Sequence, residues 1–144
     1  MNMREVRDAF GDWLSQYKWN SFATLTFKRT QSLDTAKKSF RNFIERIKKG
    51  ASYFVVLEEA GNNLHLHALL GNMDDVKEDR VKEEWKSRHG IAQVNKYDAK
   101  LGARYYITKS INSDRIDWDF KLKNAKKAEK PIDSLVKSPL LEDL

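Results

Sequence analysis

Residues 52–71 read SYFVVLEEAGNNLHLHALLG, and how this stretch folds decides the rest. Two β-rich runs, 52–59 and 64–71, flank Ala60, Gly61, Asn62 and Asn63, which is the turn chemistry of an antiparallel hairpin. Strand side chains alternate, so His65 and His67 project from one face while Leu64, Leu66, Ala68 and Leu70 line the other. Loop length selects the acid that joins them. With residues 60–63 as a four-residue loop, Glu59 pairs with Leu64 and Glu58 with His65. A two-residue turn at Asn62 and Asn63 sets Glu58 opposite His67, on the same face, and only a three-residue loop brings Glu59 round. Glu58 is the expected partner of the histidines, and Glu59 the exposed strand-end carboxylate. Two imidazoles and one carboxylate leave coordination positions open and suit a divalent ion, Mn²⁺ or Mg²⁺, that also holds phosphate oxygens; zinc is a further option. The competing reading is a surface histidine pair without a ligand.

Outward from the hairpin, periodicity assigns the other elements. Residues 21–28 alternate, with Ala23, Leu25 and Phe27 on one side and Phe22, Thr24, Thr26 and Lys28 on the other, which predicts a strand. Before it, Val6, Phe10, Trp13, Leu14 and Tyr17 predict an amphipathic helix over 3–18. After it, Ser32 offers an N-cap to a helix whose stripe is Ala36, Phe40, Phe43, Ile44 and Ile47, stopped by Gly50. Val81 and Trp85 mark a charged helix over 76–89 ended by Gly90, and 91–97 form a short strand. A last helix over 98–113 carries Leu101, Tyr105, Thr108 and Ile111 or Asn112 down its apolar side. Strands broken by helices around a tight hairpin predict an α+β fold: a central antiparallel sheet with flanking helices, of the ferredoxin-like or RNA-recognition type. One domain, 1–113, is expected, followed by a C-terminal segment, 114–144, in which Trp118 and Phe120 dock and the rest is a loosely attached tail.

The chain has 144 residues, 40% of them hydrophobic, and a formal net charge of +6, which favours a polyanionic partner. Between Lys28 and Lys49 eight basic residues face only Asp34 and Glu45, a surplus equal to that of the whole chain. Such clustering marks a binding face, with Lys28, Arg29, Lys38 and Arg41 as candidate phosphate contacts. The absence of cysteine excludes disulfides, thiolate zinc sites and cysteine nucleophiles. No apolar run is long enough to span a bilayer, so a soluble, cytoplasmic protein with no membrane partner is expected.

In the last helix Tyr106 and Lys109 are three residues apart and share a face. A phenol has an ordinary pKa of about 10 and needs a neighbouring cation or metal to attack at neutral pH. Lys109 could supply that charge, or neutralise a phosphate in transfer. Tyr105, on the Leu101 stripe, suits a core tyrosine better than Tyr106 does, although it is kept as a possible substitute.

FATLTF (Phe22–Phe27), HLHALL (His65–Leu70) and the helix with Tyr106, Ile107, Thr108 and Lys109 occur in the order and at roughly the distances of three motifs of the HUH endonuclease superfamily. The chain resembles a single-tyrosine rolling-circle replication initiator of a plasmid or virus. That resemblance implies a nuclease domain over 1–113 that nicks single-stranded DNA at a replication origin, keeps the 5′ phosphate on Tyr106 and releases a 3′ hydroxyl. It implies metal ligation by His65, His67 and Glu58, assistance from Lys109, and a site shaped by Thr24 and Thr26. Arg104, also on the last helix, is a further candidate nucleic-acid contact. No phosphate-binding GxxxxGK[ST] loop is found, so opening a duplex falls to a host helicase, to supercoiling, or to a substrate already single-stranded. A single-tyrosine transposase of the same superfamily is the alternative. From another class, a non-catalytic single-strand-binding module would display aromatic side chains on the sheet face, where polar ones are inferred here.

Overall fold

The computed structural model describes residues 3–110 and 115–128. Its elements are α1 (Met3–Leu14), β1 (Trp19–Thr26), α2 (Leu33–Ile47), β2 (Ser52–Ala60), β3 (Asn63–Gly71), α3 (Glu78–Lys86), β4 (Ala92–Lys96), α4 (Gly102–Ser110) and β5 (Ile116–Lys121). The strands form one antiparallel sheet in the order β4-β1-β3-β2-β5. From β1 to β4 this is the ferredoxin-like β-α-β-β-α-β pattern, as expected from the sequence. β5 extends it at the β2 edge, drawing on the C-terminal segment, and residues 111–114 and 129–144, including Ile111, Asn112 and most of the tail, lie outside the described residues.

Each helix forms where an apolar stripe can be buried. Ser32 caps α2 by accepting a hydrogen bond from the Thr35 N–H, and the helix buries Ala36, Phe40, Phe43, Ile44 and Ile47, the stripe read from its periodicity. The four large side chains contribute about 1.5–3 kcal/mol each, gross. With Val81 and Trp85 of α3 they cover one sheet face, formed by Ala23, Leu25, Val55, Leu57, Leu66, Ala68 and Leu70. The opposite face carries a second core, in which Leu14 of α1 and Ala103 and Ile107 of α4 pack on Trp19, Phe22, Phe54, Val56 and Leu69. Where an RNA-recognition sheet is open, this one is roofed by α1 and α4.

Three expectations need correction. The first helix ends at Leu14 rather than 18, because Tyr17 and Lys18 leave it to bond with a distant segment: Tyr17 bridges to Lys127, and the Lys18 N–H donates to the Lys126 carbonyl at 2.7 Å. β1 starts at Trp19, and an irregularity between Trp19 and Ser21 shifts the phase so that Trp19 joins Phe22 in the second core. The apolar stripe of α4 is not its buried side. Leu101 and Tyr105 are exposed (47% and 36%), Thr108 is exposed as well, and the smaller Ala103 and Ile107 face the core.

Candidate metal centre and its surroundings

The hairpin register places the acid. Ala60 pairs with Asn63, leaving Gly61 and Asn62 as a two-residue turn, and Gly61 supplies the positive φ (+65°) at its first position. Glu59 therefore faces Leu64 and Glu58 faces His65, the register of the four-residue reading with a shorter loop. Glu59 pairs with Arg115 at the strand end, at 2.6 Å, and stays off the histidine face.

Glu58, His65 and His67 share that face, and one ligand atom from each lies within 4.8 Å of the others. Glu58 and His67 are buried (5% and 4% exposed), and His65 is half-buried. His67 Nε2 donates to Glu58 Oε1 at 2.8 Å. Burial lowers the His67 pKa below the ordinary imidazole value, against the opposing pull of Glu58, so the ring is neutral, the form a metal ligand requires. Its Nδ1 is buried with no hydrogen-bond partner among the described residues. Two imidazoles, a carboxylate and an orphaned ring nitrogen on His67 fit a divalent cation better than a self-sufficient polar core.

Around the cluster the sheet sets up ordered rows. Thr24 pairs with His67 and Thr26 with His65, so both threonines border the site. Thr26 is held from three sides: its carbonyl accepts from Trp85 Nε1 at 2.8 Å, its N–H donates to Ile91, and its hydroxyl accepts from the Ile91 N–H. Gly90 allows this approach, since a Cβ there would lie 2.3 Å from the Thr26 oxygen. One row from His67 in the other direction, Phe22 faces Leu69, and the Tyr106 ring stacks on Phe22 at 5.1 Å between centroids.

Tyr106 is thus half-buried over the histidine face, packed also on Tyr97 at 5.1 Å, and its hydroxyl accepts from the Asp98 N–H at 2.8 Å. Tyr105, the expected core tyrosine, instead points outward. Lys109 Nζ sits 5.3 Å from the Tyr105 ring centroid, and a hydrogen bond with Tyr105 raises the lysine's pKa, keeping it charged. Burial, followed by Tyr106 and Asp98, pushes the Tyr97 phenol up to about 12, so it ionises less readily than an ordinary tyrosine. Asp98 and Tyr97 were missed in the sequence because only the tertiary fold brings them to Tyr106. Phe22 was legible from strand alternation.

The basic candidates divide. Lys28 and Arg29 are exposed just beyond Thr26, at the end of the site. Lys38 and Arg41 belong to α2, across the sheet from the cluster, and Arg41 pairs with Asp119 at 2.9 Å. Elsewhere in the basic stretch Lys37 pairs with Asp117, Arg46 with Glu84 and Lys48 with Asp75, so much of its charge is balanced within the fold. Arg104 bridges α4 to Asp8 and Asp12 of α1.

Residues 20–115 match the replication-associated protein ORF2 family. The chain belongs to this family. The matched region of this replication-associated protein takes in the cluster, both tyrosines and Lys109. Among solved structures the family member is similar to the hypothetical protein ORF119 from Sulfolobus islandicus rod-shaped virus 1, at 18% identity and a TM-score of 0.48, over 76% of this chain and 90% of that one. No curated protein matches. Among the described residues no helix is long and apolar enough to cross a membrane.

Proposed function

We propose that this replication-associated protein is a metal-dependent, HUH-type nickase and strand transferase that initiates rolling-circle replication by cutting single-stranded DNA. One observation carries the reading: a Glu58, His65, His67 cluster with ligand atoms within 4.8 Å, on the sheet face over which α4 lays Tyr106. Glu58, His65 and His67 would hold Mn²⁺ or Mg²⁺. Such an ion, when bound, polarises the scissile phosphate.

The chain's own residues supply the rest. Tyr106 gives up its phenolic proton and its oxygen bonds to phosphorus as the P–O3′ bond breaks. The departing oxygen gains a proton, leaving a 3′ hydroxyl and a 5′ phosphotyrosine, so the exchange balances without a co-reactant. Engagement with the substrate replaces the Asp98 N–H as the partner of the Tyr106 hydroxyl. Lys109, protonated on the same helix, offsets phosphate charge. Covering the face with α1 and α4 argues against an RNA-recognition-type module, whose bases stack on an open sheet.

The test is incubation with a labelled pool of mixed-sequence single-stranded oligonucleotides and Mn²⁺, read by denaturing gel. A covalent adduct that is lost in Tyr106→Phe and kept in Tyr105→Phe supports the proposal. An adduct with the opposite dependence moves the nucleophile to Tyr105, and no adduct at all refutes the nickase.

A further inference from the structure

Strand β4 forms one edge of the sheet, and packing settles which way its side chains alternate. Ala92 is buried in the core beneath α2 and α3, with Val94 packed against that core, so Gln93 and Asn95 project from the other face, the one that bears the histidines. Register fixes their rows. Thr24 pairs with Gln93 on one side and with His67 on the other, so Gln93, Thr24 and His67 stand in line across β4, β1 and β3. Asn95 pairs with Phe22, in the row that Tyr106 covers.

The roof over this face is uneven. α1 and α4 close it over Phe22, Phe54, Val56 and Leu69, whereas Thr24, Thr26 and His65 are half-buried and Gln93 is exposed. Cover is therefore thinnest between the cluster and the β4 edge. The Gln93 carboxamide makes no hydrogen bond with a described residue, so its donor and acceptor are both available. Strands are spaced by about 4.8 Å, which sets the Gln93 and His67 backbones about 10 Å apart. A nucleotide whose phosphate rests on the cluster, with its base turned towards β4, bridges that gap and meets the carboxamide.

A carboxamide offers an acceptor oxygen and N–H donors side by side. Adenine carries the complementary pair on both polar edges, its N6 amino group with N7 and the same group with N1. On the N7 edge guanine has two acceptors, and the pyrimidines have no such pair. We infer, resting on the nickase reading above, that Gln93 is a specificity-determining residue that reads an adenine joined at the scissile phosphate.

In the experiment the full chain and its Gln93→Ala and Gln93→Glu variants are incubated with a degenerate single-stranded library and Mn²⁺, and both product pieces are sequenced to map the bases on either side of the cut. The parent should enrich adenine at one of the two nucleotides joined there. On defined strands differing only at that nucleotide, adenine should form adduct faster than each other base by at least about fivefold, the lower end of what one bidentate base contact provides. Gln93→Ala should level the preference. In Gln93→Glu the carboxylate only accepts, so adenine loses the partner of its ring nitrogen and the preference should move to cytosine, whose N4 amino group donates. Gln93 is exposed, so all three proteins should melt alike, and a changed base ranking then reports recognition rather than folding. A parent without adenine preference at either nucleotide, or a preference that survives both substitutions, overturns this inference and leaves the nickase reading standing. No adduct from the unaltered chain overturns that reading, and this inference with it.

Discussion

Glu58→Gln tests the candidate metal centre with little disturbance to the fold. Glu58 is 5% exposed and accepts from His67 at 2.8 Å, and the amide oxygen of glutamine can accept the same bond. Removing a buried charge also relieves desolvation, so the metal-free variant should lie within about 1 kcal/mol of the parent. The response to metal is where the two should part. An ion bound only to the folded chain stabilises it by about 2.7 kcal/mol at one hundred times its Kd, which at roughly 3 °C per kcal/mol for a domain of this size raises Tm by about 8 °C. Loss of the only charged ligand, with a hundredfold drop in affinity at the same Mn²⁺ concentration, leaves about 0.4 kcal/mol, or about 1 °C. Protein stripped with chelator and melted across a Mn²⁺ and a Mg²⁺ titration measures both. His65→Ala and His67→Ala should lose the shift likewise. A full Mn²⁺-dependent rise in Glu58→Gln would place the ion elsewhere and refute the assignment.

Gly90→Ala puts a Cβ 2.3 Å from the Thr26 carbonyl oxygen, a backbone atom with no freedom to yield, so a loss of about 1–3 kcal/mol is expected in urea unfolding, and a change under about 0.5 would contradict the packing. Ile107→Ala, on the buried side of α4, should cost about 2–5 kcal/mol, and Leu101→Ser, on the exposed side, under about 0.5; the reverse order would mean that the helix is rotated. Burial, reinforced by Arg46 and Arg88, lowers the His89 pKa, so the unfolded chain binds the proton more readily. Its stabilising contribution is whole above the unfolded value of about 6.5 and is lost as pH falls from there through the depressed folded value. His67 acts in the same sense, so His89→Asn should flatten the decline of the urea midpoint between about pH 7.5 and 5.5 without abolishing it; an unchanged slope would show that His89 is not involved.

The parts legible in the sequence were those governed by a strong local period. Alternation in β1 and β3 assigned Phe22, Thr24, Thr26, His65 and His67 to one face, and the 3.6-residue stripe of α2 named all five of its buried side chains. The acid depended on a loop length that sequence left open, and the positive φ of Gly61 settles it by closing a two-residue turn between Ala60 and Asn63. What escaped was set by partners far along the chain, such as the bonds of Tyr17 and Lys18 to residues 126 and 127 that end α1 early.

The misreading of α4 has the same origin and bears on the chemistry. By side-chain size Leu101 and Tyr105 should have been inside, but α1 crosses close to α4: a Cβ at Gly11 would stand 3.0 Å from the Cβ of Arg104. At that separation small Ala103, with Ile107 one turn on, is what the interface admits. That choice fixes the helix rotation. Consecutive residues stand about 100° apart around a helix, so burying Ala103 and Ile107 carries Tyr106 onto Phe22 and turns Tyr105 out to solvent with Lys109. The packing that defeats the hydrophobic pattern is therefore what brings one tyrosine of the pair over the face that bears His65 and His67.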